Sequence, residues 1–377
     1  MKTIQLYRDK DRKWLYISEK QILNKPLVFV FGNRYLLEEP NIYKDINKIF
    51  PDGDIILGST AGEILGNNVY DETVSVTAIE FEKSSFIIHS KNVKNYDGNF
   101  QKLGEDLSSE FPKNSLKHLF IVSEGSTVNG STLIDGLEKN LSKNILISGG
   151  LCGDDARFEK TLASYNSLPK EGEVVAIGFY GEALEITCAN YGGWTTFGPE
   201  RTITKSKDNI LYELDDKPAL DLYKKYLGDK ANELPQAALL YPLNLRLKGS
   251  NETLVRTILN IDENNNTMIL AGDVPEGSTV QLMMSSVDDI AEGASKAAFY
   301  AMKNRTKKPE LSLLVSCVGR KLVMDQRTED EIEEVIEVIG KQSVTAGFYS
   351  YGELSPFAGQ NDCKLHNQTM TLTLISE

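Results

Sequence analysis

Apolar residues along this chain follow two recurring patterns, short β-branched runs that end near a glycine and stripes spaced three or four residues apart. The first pattern predicts buried strands and the second predicts amphipathic helices. Near the start, the predicted helix is Asn41–Phe50 and the predicted strands are Leu27–Phe31, Asp54–Leu57 and Val74–Phe81. A glycine-rich loop, Gly58–Glu63, follows the second of these strands.

The same order of elements returns twice further along the chain. The second copy has a predicted helix at Leu133–Leu141 and strands at His118–Val122, Ile145–Ile147 and Val174–Tyr180. The third copy has a predicted helix at Thr328–Ile339 and strands at Leu311–Val318, Val344–Phe348 and Met370–Ile375. The glycine loops match as G-x3-G-E, G-x3-G-D and G-x4-G-E. This repeat predicts an α/β fold of duplicated strand–helix–strand units with Gly-rich loops, in two related halves around mixed sheets.

Local signals add three further predictions. Thr328 and Glu331 have the spacing of a capping box at the start of the helix in the third copy. Leu254–Ile261 and Thr267–Ala271, joined by a polar turn, are predicted to form a hairpin. The turn at Gly192-Gly193 is the predicted boundary between a domain at residues 1–190 and a domain at residues 191–377.

Composition and charge argue against several classes of protein. The 377 residues include 41 Lys and Arg against 54 Asp and Glu, and the net charge of −13 argues against a nucleic-acid partner. No apolar stretch approaches the ~18 residues of a transmembrane helix, and the charged N-terminus lacks the apolar region of a signal peptide. Four scattered cysteines without a C-x-x-C pair argue against a disulfide framework and a zinc site. We therefore expect a cytoplasmic protein without a metal and without membrane insertion.

The glycine loops are the first candidates for a ligand site. A strand that ends in a glycine turn exposes backbone N–H groups at the sheet edge, where ligands of α/β proteins bind. The acid beside each loop would accept hydrogen bonds from an amine or a hydroxyl. The alternative is that the glycines only form tight turns and that each acid caps a backbone group.

A second loop, Gly125–Thr132, lies between a strand and a helix as a phosphate loop does. It lacks the lysine that contacts the β- and γ-phosphates, so nucleotide hydrolysis is not supported. Either Ser131 or Thr132 caps the helix, or the helix N-terminus binds a carboxylate or another anion.

Cys317 and His366 are the remaining candidates for chemistry. Cys317 ends a predicted buried strand, so it is either an inert thiol or a thiol whose pKa is lowered by Arg320, which would also clamp a carboxylate. A lone histidine such as His366 is more often a structural hydrogen-bonding group than a ligand. The sequence has no G-x-S-x-G elbow, so hydrolase chemistry has no motif support.

Five segments of the chain resemble the motifs of the FIST family, the two-part sensory module found in bacterial signal transduction and in some F-box proteins. The N-terminal FIST pattern is matched at Ile56–Ile64 and Ser148–Phe158. The C-terminal FIST pattern is matched at Ser316–Arg320, Ala346–Pro356 and Leu365–Leu372. The resemblance spans roughly residues 25–377, with the five motifs in the family's order.

This resemblance implies a non-enzymatic sensor whose ligands are amino acids or related polar metabolites. Because the sequence contains no kinase, cyclase or chemotaxis output domain, the expected signal passes to a signalling protein in trans. We expect the loop N–H groups to bind the ligand's carboxylate, with Arg157 or Arg320 assisting, and Glu63 or Glu353 to accept its amine. One alternative is a haem-binding nitric-oxide sensor with His366 or Cys317 as axial ligand. The other is a thiol-dependent enzyme with Cys317 as nucleophile.

The expected site therefore combines the glycine loops with residues of the C-terminal motifs. No catalytic residue and no cofactor other than haem is expected. The residues expected to bind the ligand are Gly58, Ser59, Thr60, Gly62, Glu63, Gly149, Gly150, Gly153, Asp154, Arg157, Phe158, Cys317, Arg320, Tyr349, Glu353, His366 and Asn367.

Overall fold

A computed structural model describes residues 1–9, 11–250, 252–357 and 360–377 of the chain. These residues form four β-sheets, and at least one helix packs against each of them. The mixed α/β fold predicted from the sequence is confirmed. The α-helices are Arg34–Leu37, Ile42–Ile49, Phe100–Ser109, Gly130–Glu138, Ala219–Leu227, Val287–Met302, Val318–Met324 and Asp330–Ile339.

Three of the sheets share one internal order, which confirms the repeat of elements seen in the sequence. In each, the first strand is parallel to the second and antiparallel to the third. We call these strand sets units 1, 2 and 3. Unit 1 comprises Leu27–Gly32, Asp54–Ser59 and Val74–Glu80; unit 2 comprises Leu116–Ser123, Leu146–Leu151 and Glu173–Tyr180; unit 3 comprises Leu311–Cys317, Val344–Ser350 and Met370–Ser376.

The units exchange short strands in a closed ring. Glu63–Leu65, which follows the second strand of unit 1, pairs with the second strand of unit 3. Gly352–Pro356, which follows the second strand of unit 3, pairs with the second strand of unit 2. Ala163–Tyr165, which follows the second strand of unit 2, pairs with the second strand of unit 1. Because each exchanged strand follows a glycine loop, the exchange brings the three loops together.

Further strands complete these sheets at their edges. Lys2–Arg8 and Trp14–Tyr16 extend the sheet of unit 1. Ser85–Asn92 and Cys363–His366 extend the sheet of unit 2, and Glu185–Tyr191 and Asn68–Tyr70 extend that of unit 3.

The three sheets pack around a shared apolar core made by their inner faces. Phe31 of unit 1 lies 4.5 Å from Phe348 of unit 3 between ring centroids, and Phe29 lies 5.7 Å from Phe120 of unit 2. Burial of such runs on both faces explains why their strands are almost continuously apolar. Within the described residues, no helix has the length and apolar composition needed to cross a bilayer.

The fourth sheet lies in the chain between units 2 and 3 and contains only antiparallel pairs. Its strands are Thr253–Arg256, Leu243–Arg246, Thr279–Met284, Thr195–Lys207, Ile210–Leu214, Thr267–Leu270, Ile258–Asp262 and Lys217–Pro218. The predicted strand Leu254–Ile261 is therefore two strands. Its first part pairs with Leu243–Arg246, and only its second part forms the hairpin with Thr267–Leu270.

Two predicted helix caps are wrong. The helix of unit 3 begins at Asp330, Thr328 Oγ1 donates to Asp325 O at 2.5 Å, and Glu331 is buried against Arg320. The helix after Gly125 is capped by Asn129, whose Oδ1 accepts from Thr132 N at 3.1 Å. In the first case a buried ion pair takes the side chain that a capping box would need.

Candidate functional site

A ring of backbone hydrogen bonds joins the three glycine loops at the centre of the molecule. Each loop donates at least one N–H group to a carbonyl of another loop and accepts at least one in return. Three of these bonds close the ring: Ala61 N to Tyr349 O at 2.9 Å, Gly153 N to Ser59 O at 2.9 Å, and Tyr351 N to Leu151 O at 3.0 Å. The predicted loops thus meet, but these N–H groups donate hydrogen bonds to other loops, so they are not free to bind a ligand.

Close approach explains two of the glycines. A Cβ on Gly153 would lie 2.9 Å from Ala61 N and 3.2 Å from Tyr349 O, so a side chain there would push the loops apart. Gly62 has φ of 140°, a conformation that side-chain-bearing residues rarely adopt. The glycine pattern in these loops therefore serves the junction itself.

The loop acids Glu63 and Glu353 occupy equivalent places in this junction and are 1% and 0% exposed. Glu63 accepts from the hydroxyls of Thr60 and Thr73, both at 2.6 Å. Glu353 accepts from Ser350 at 2.6 Å and from the Thr369 hydroxyl at 2.9 Å. Burial raises the pKa of both carboxyl groups to about 8, so each is largely protonated at neutral pH.

The acid of the second loop, Asp154, is held by two arginines. Arg34 Nε donates to its Oδ1 at 3.0 Å, and Arg157 Nη1 contacts the same oxygen at 3.2 Å. The ring of Tyr35 lies under both guanidinium groups, 4.3 Å from that of Arg34 and 4.9 Å from that of Arg157. Arg157 is thereby committed to Asp154, Asp155 and Tyr35 in this geometry.

Arg320 is also committed inside the protein. It is fully buried, its Nη2 lies 2.7 Å from Glu331 Oε2, and it donates to the carbonyls of Gly192 and Ile290. Tyr349 OH donates to the same Glu331 carboxylate at 2.6 Å. Burial raises the pKa of the Cys317 thiol, and this effect outweighs the lowering that the Arg320 charge exerts.

His366 and Asn367 are buried behind the junction. His366 Nε2 lies 3.0 Å from Ser355 O, and burial lowers its pKa to about 4, so the ring is neutral at neutral pH. The two amide atoms of Asn367 have no hydrogen-bond partner among the residues described. Across the described ranges, no group of three His, Cys, Asp or Glu side chains is arranged to hold a metal ion.

A cavity of about 310 Å³, which we call the junction cavity, lies between unit 2 and the fourth sheet. Phe158 and Tyr351 form one wall, with stacked rings 4.6 Å apart between centroids. The lining residues carry no charged side chain; they are Gly125, Ser126, Thr127, Val128, Asn129, Gly130, Leu151, Phe158, Asn209, Leu259, Leu270, Ala271, Gly272, Tyr351 and Leu365. Aromatic walls with a few neutral polar groups are typical of sites for small organic ligands.

A larger and more open cleft of about 530 Å³ is lined at the surface by residues adjacent in sequence to the predicted site residues. Ala61, Ala156 and Val318 line it together with Lys321, which is paired with Asp71. Three predicted segments thus meet at this cleft: the first loop, the second loop and the Cys317–Arg320 turn.

Phe158 is the predicted site residue that lines the junction cavity. The other predicted site residues lie in the buried loop junction or contact it. None of them lines the junction cavity or the more open cleft. Tyr351, Asn209 and Leu259 were not predicted as site residues. Leu259 carried no distinct signal, because Ile258 and Ile261 of the same strand are apolar as well.

The comparison with family models agrees with this architecture. A model of the FIST N domain matches residues 26–217, and a model of the FIST C domain matches residues 219–356. The chain therefore belongs to the FIST family, whose domains are sensory modules that bind small ligands in signal transduction. The junction cavity has walls from both matched regions, since Phe158 lies in the first and Leu259 in the second.

Curated relatives are distant in sequence. An uncharacterized protein of Methanocaldococcus jannaschii is 22% identical over 323 residues, which are 78% of this chain and 60% of that protein. An uncharacterized protein of Mycobacterium tuberculosis is 23% identical over 253 residues, 64% of this chain and 63% of that protein. The chain therefore matches less than two thirds of the length of these relatives.

Among solved structures, a chorismatase shows 7% identity and a TM-score of 0.31, with 99% of this chain and 98% of that chain covered. A cyanuric acid hydrolase from A. caulinodans shows 9% identity and a TM-score of 0.18, with 78% of this chain and 99% of that chain covered.

Proposed function

We propose that this chain senses a small polar metabolite, of the size and polarity of an amino acid, by binding it in the junction cavity. The observation that carries the proposal is the cavity's place between the regions matched by the FIST N and FIST C domains. Its volume of about 310 Å³ lies at the small end of ligand sites, which span roughly 300–1,000 Å³.

The lining offers a different surface to each part of such a ligand. The first turn of the Gly130–Glu138 helix presents N–H groups without intrahelical acceptors, which favour a carboxylate. Asn209 donates through Nδ2 to Leu270 O at 2.8 Å, which leaves its Oδ1 as an acceptor for an amine. Phe158 and Tyr351 provide the apolar wall against which a side chain packs.

The signal would arise from a change in the position of the fourth sheet relative to unit 2. A ligand shifts an equilibrium between two arrangements only when it binds one of them better, and a cavity with walls on both sides meets that condition. Asn129 Nδ2 donates to Asp273 Oδ1 at 3.2 Å across this boundary, so this contact would report the change. A signalling protein in trans would then recognise the ligand-bound arrangement.

We also propose that the ligand leaves the site chemically unchanged. Catalysis needs a nucleophile or a proton-transfer group within hydrogen-bond reach of the ligand. Among the residues that line the junction cavity, Ser126, Thr127 and Tyr351 carry hydroxyl groups, but none is a Cys, His, Asp, Glu or Lys, and Cys317 lies in the buried junction. A hydroxyl needs an adjacent base to act as a nucleophile.

Thermal shift measurements with the common amino acids, short dicarboxylates, nucleotides and haem test this function. We expect a metabolite to raise the Tm of the native chain, and Leu259→Trp, which fills the cavity, to abolish that rise. Leu168→Trp is the control, because Leu168 is also exposed and lies outside the cavity. A rise that survives Leu259→Trp would place the ligand elsewhere.

Two further readouts separate this proposal from its alternatives. Mass spectrometry of the recovered metabolite should show it unaltered, whereas turnover that Cys317→Ser abolishes would support a thiol enzyme. A haem absorption band that His366→Ala removes would support the haem sensor instead.

A further inference from the structure

The buried arginines of the described chain differ in whether they form an ion pair with a carboxylate. Four arginines are buried, and three of them pair with a carboxylate. The pairs are Arg8 with Glu39 at 2.8 Å, Arg34 with Asp154 at 3.0 Å, and Arg320 with Glu331 at 2.7 Å. The fourth, Arg256, is 3% exposed and forms no ion pair with a described residue.

The hydrogen bonds of Arg256 all go to backbone carbonyls. Nε donates to Asp273 O at 3.1 Å, and Nη1 donates to Leu365 O at 2.9 Å. These bonds fix the guanidinium without neutralising it, and Nη2 donates to no acceptor among the described residues. Burial lowers its pKa to about 10, so the group remains charged at neutral pH.

This guanidinium lines a cavity of about 160 Å³, which we call the arginine cavity. Lys364 adds a second positive charge to the wall, and Ser131 adds a hydroxyl from the first turn of the Gly130–Glu138 helix. Two acids also line the cavity. Asp135 is exposed to solvent, and the Asp273 carboxylate accepts from Asn129. The remaining walls are mainly apolar, from Leu247, Leu254, Ile134, Pro275, Cys363 and Leu365.

A buried charge without a direct ion pair is costly, and the Asp273 carboxylate acts on Arg256 only at longer range. A low-dielectric wall strengthens the attraction of the guanidinium for an anion that enters. Guanidinium groups bind carboxylate and phosphate oxygens through paired N–H donors. We propose that the arginine cavity binds a small carboxylate or phosphate anion, with Arg256 as its counter-charge. The proposal is independent of the ligand proposed for the junction cavity, because it rests on a different cavity.

Thermal shift titrations of the full chain with sodium phosphate and with sodium succinate, each against sodium chloride at equal ionic strength, test the proposal. We expect at least one of the two anions to raise Tm by several degrees beyond the effect of chloride. The arm that responds distinguishes a phosphate ligand from a carboxylate ligand. If neither anion exceeds chloride, the proposal is wrong.

Arg256→Gln should abolish the anion-dependent rise in Tm. Arg246→Gln should retain it, because Arg246 lies on the neighbouring strand of the same sheet, is 46% exposed and pairs with Glu200. An unchanged response in Arg256→Gln would contradict the proposal.

A second variant keeps the test valid if Arg256→Gln does not fold. Ser131→Asp places a carboxylate in the cavity, so it should raise the Tm of the anion-free protein and remove the response to added anion. Thr132→Asp is its matched control, since Thr132 lies in the same helical turn outside the cavity lining and gains only the favourable helix-terminus charge. Equal behaviour of the two variants would count against the site.

Discussion

The ring of Phe158 stacks on the ring of Tyr351 at a centroid distance of 4.6 Å and an interplanar angle of 22°. Tyr351 lies in the glycine loop of unit 3 and Phe158 follows the glycine loop of unit 2, and Tyr351 OH also accepts from Phe158 N at 3.0 Å. Phe158 has φ of 55°, an uncommon conformation for a bulky residue, which costs about 1–3 kcal/mol. Strain of this kind persists where the surrounding structure fixes the residue, and here it holds an aromatic ring at the wall of the junction cavity.

Phe158→Ala should weaken ligand binding in the junction cavity while leaving the protein folded. An aromatic contact between the ligand and this ring would contribute about 0.5–1.5 kcal/mol beyond its buried area, so we expect a loss of roughly two- to tenfold in affinity once the ligand is known. Isothermal titration measures the change. Phe299→Ala is the control, because Phe299 is 62% exposed on the Val287–Met302 helix and outside the cavity.

The sequence predicted the strands and helices of the three units because their apolar spacing is local information. It did not predict the exchanged strands. Glu63–Leu65 pairs with residues of unit 3 that lie about 280 positions away in the chain, and its three apolar or acidic side chains do not encode a partner. The loops converge because of this strand exchange. The role of their glycines in close packing depends on that convergence.

The candidate site was predicted less well, for the same physical reason. A buried arginine and an exposed one look alike in a sequence, so Arg320 was assigned to a ligand although Glu331 holds it. Glu331 in turn fitted a local capping pattern that the ion pair overrides. The wall formed by Leu259 and Asn209 comes from the fourth sheet, whose position on unit 2 no local pattern describes.

Arg320→Met should destabilise the protein strongly, because it leaves the Glu331 carboxylate buried without a cation. Breaking a buried ion pair typically costs about 3–5 kcal/mol. Urea denaturation should show a lower midpoint, and Arg320→Met combined with Glu331→Gln should recover much of the loss, since a glutamine still accepts from Tyr349 OH. If Arg320→Met instead kept full stability and lost only ligand binding, Arg320 would be the ligand clamp first expected.

Gly153→Ala should destabilise the loop junction. The added Cβ would lie 2.9 Å from Ala61 N, so the backbone of the first loop must move and its hydrogen bonds weaken. Overpacking of this kind costs about 1–3 kcal/mol. Gly340→Ala, at a helix end with φ of 93° and open space around it, tests backbone strain alone, which costs about 1–3 kcal/mol without moving a neighbouring loop. An unfolding free energy of Gly153→Ala equal to that of the native chain would argue against a tight junction at Gly153.

The buried carboxyl groups of Glu63 and Glu353 should make stability fall as the pH rises from about 4.5 to 8. In that range each group is deprotonated in the unfolded chain but protonated in the native chain, because burial raises its native pKa from 4.5 to about 8. The native state therefore binds more protons than the unfolded state, and the free energy of unfolding decreases with pH by up to about 1.4 kcal/mol per unit for each group. Above the native pKa both states are deprotonated and this contribution stops changing.

Glu63→Gln and Glu353→Gln isolate this effect, because a glutamine keeps an acceptor for the Thr and Ser hydroxyls and cannot ionise. Urea denaturation of each variant between pH 5 and 8.5 should show a smaller decrease in unfolding free energy than the native chain shows, with the largest gain in stability at the alkaline end. Glu337→Gln is the control, since Glu337 is exposed on the Asp330–Ile339 helix.

Two buried histidines change stability in the opposite direction at lower pH. Burial lowers the native pKa of His118 to about 3 and that of His366 to about 4, so their contribution to stability rises with pH up to about 6.5. The Gln variants must therefore be compared with the native chain at each pH, and parallel curves for Glu63→Gln and the native chain would show that Glu63 ionises normally inside the junction.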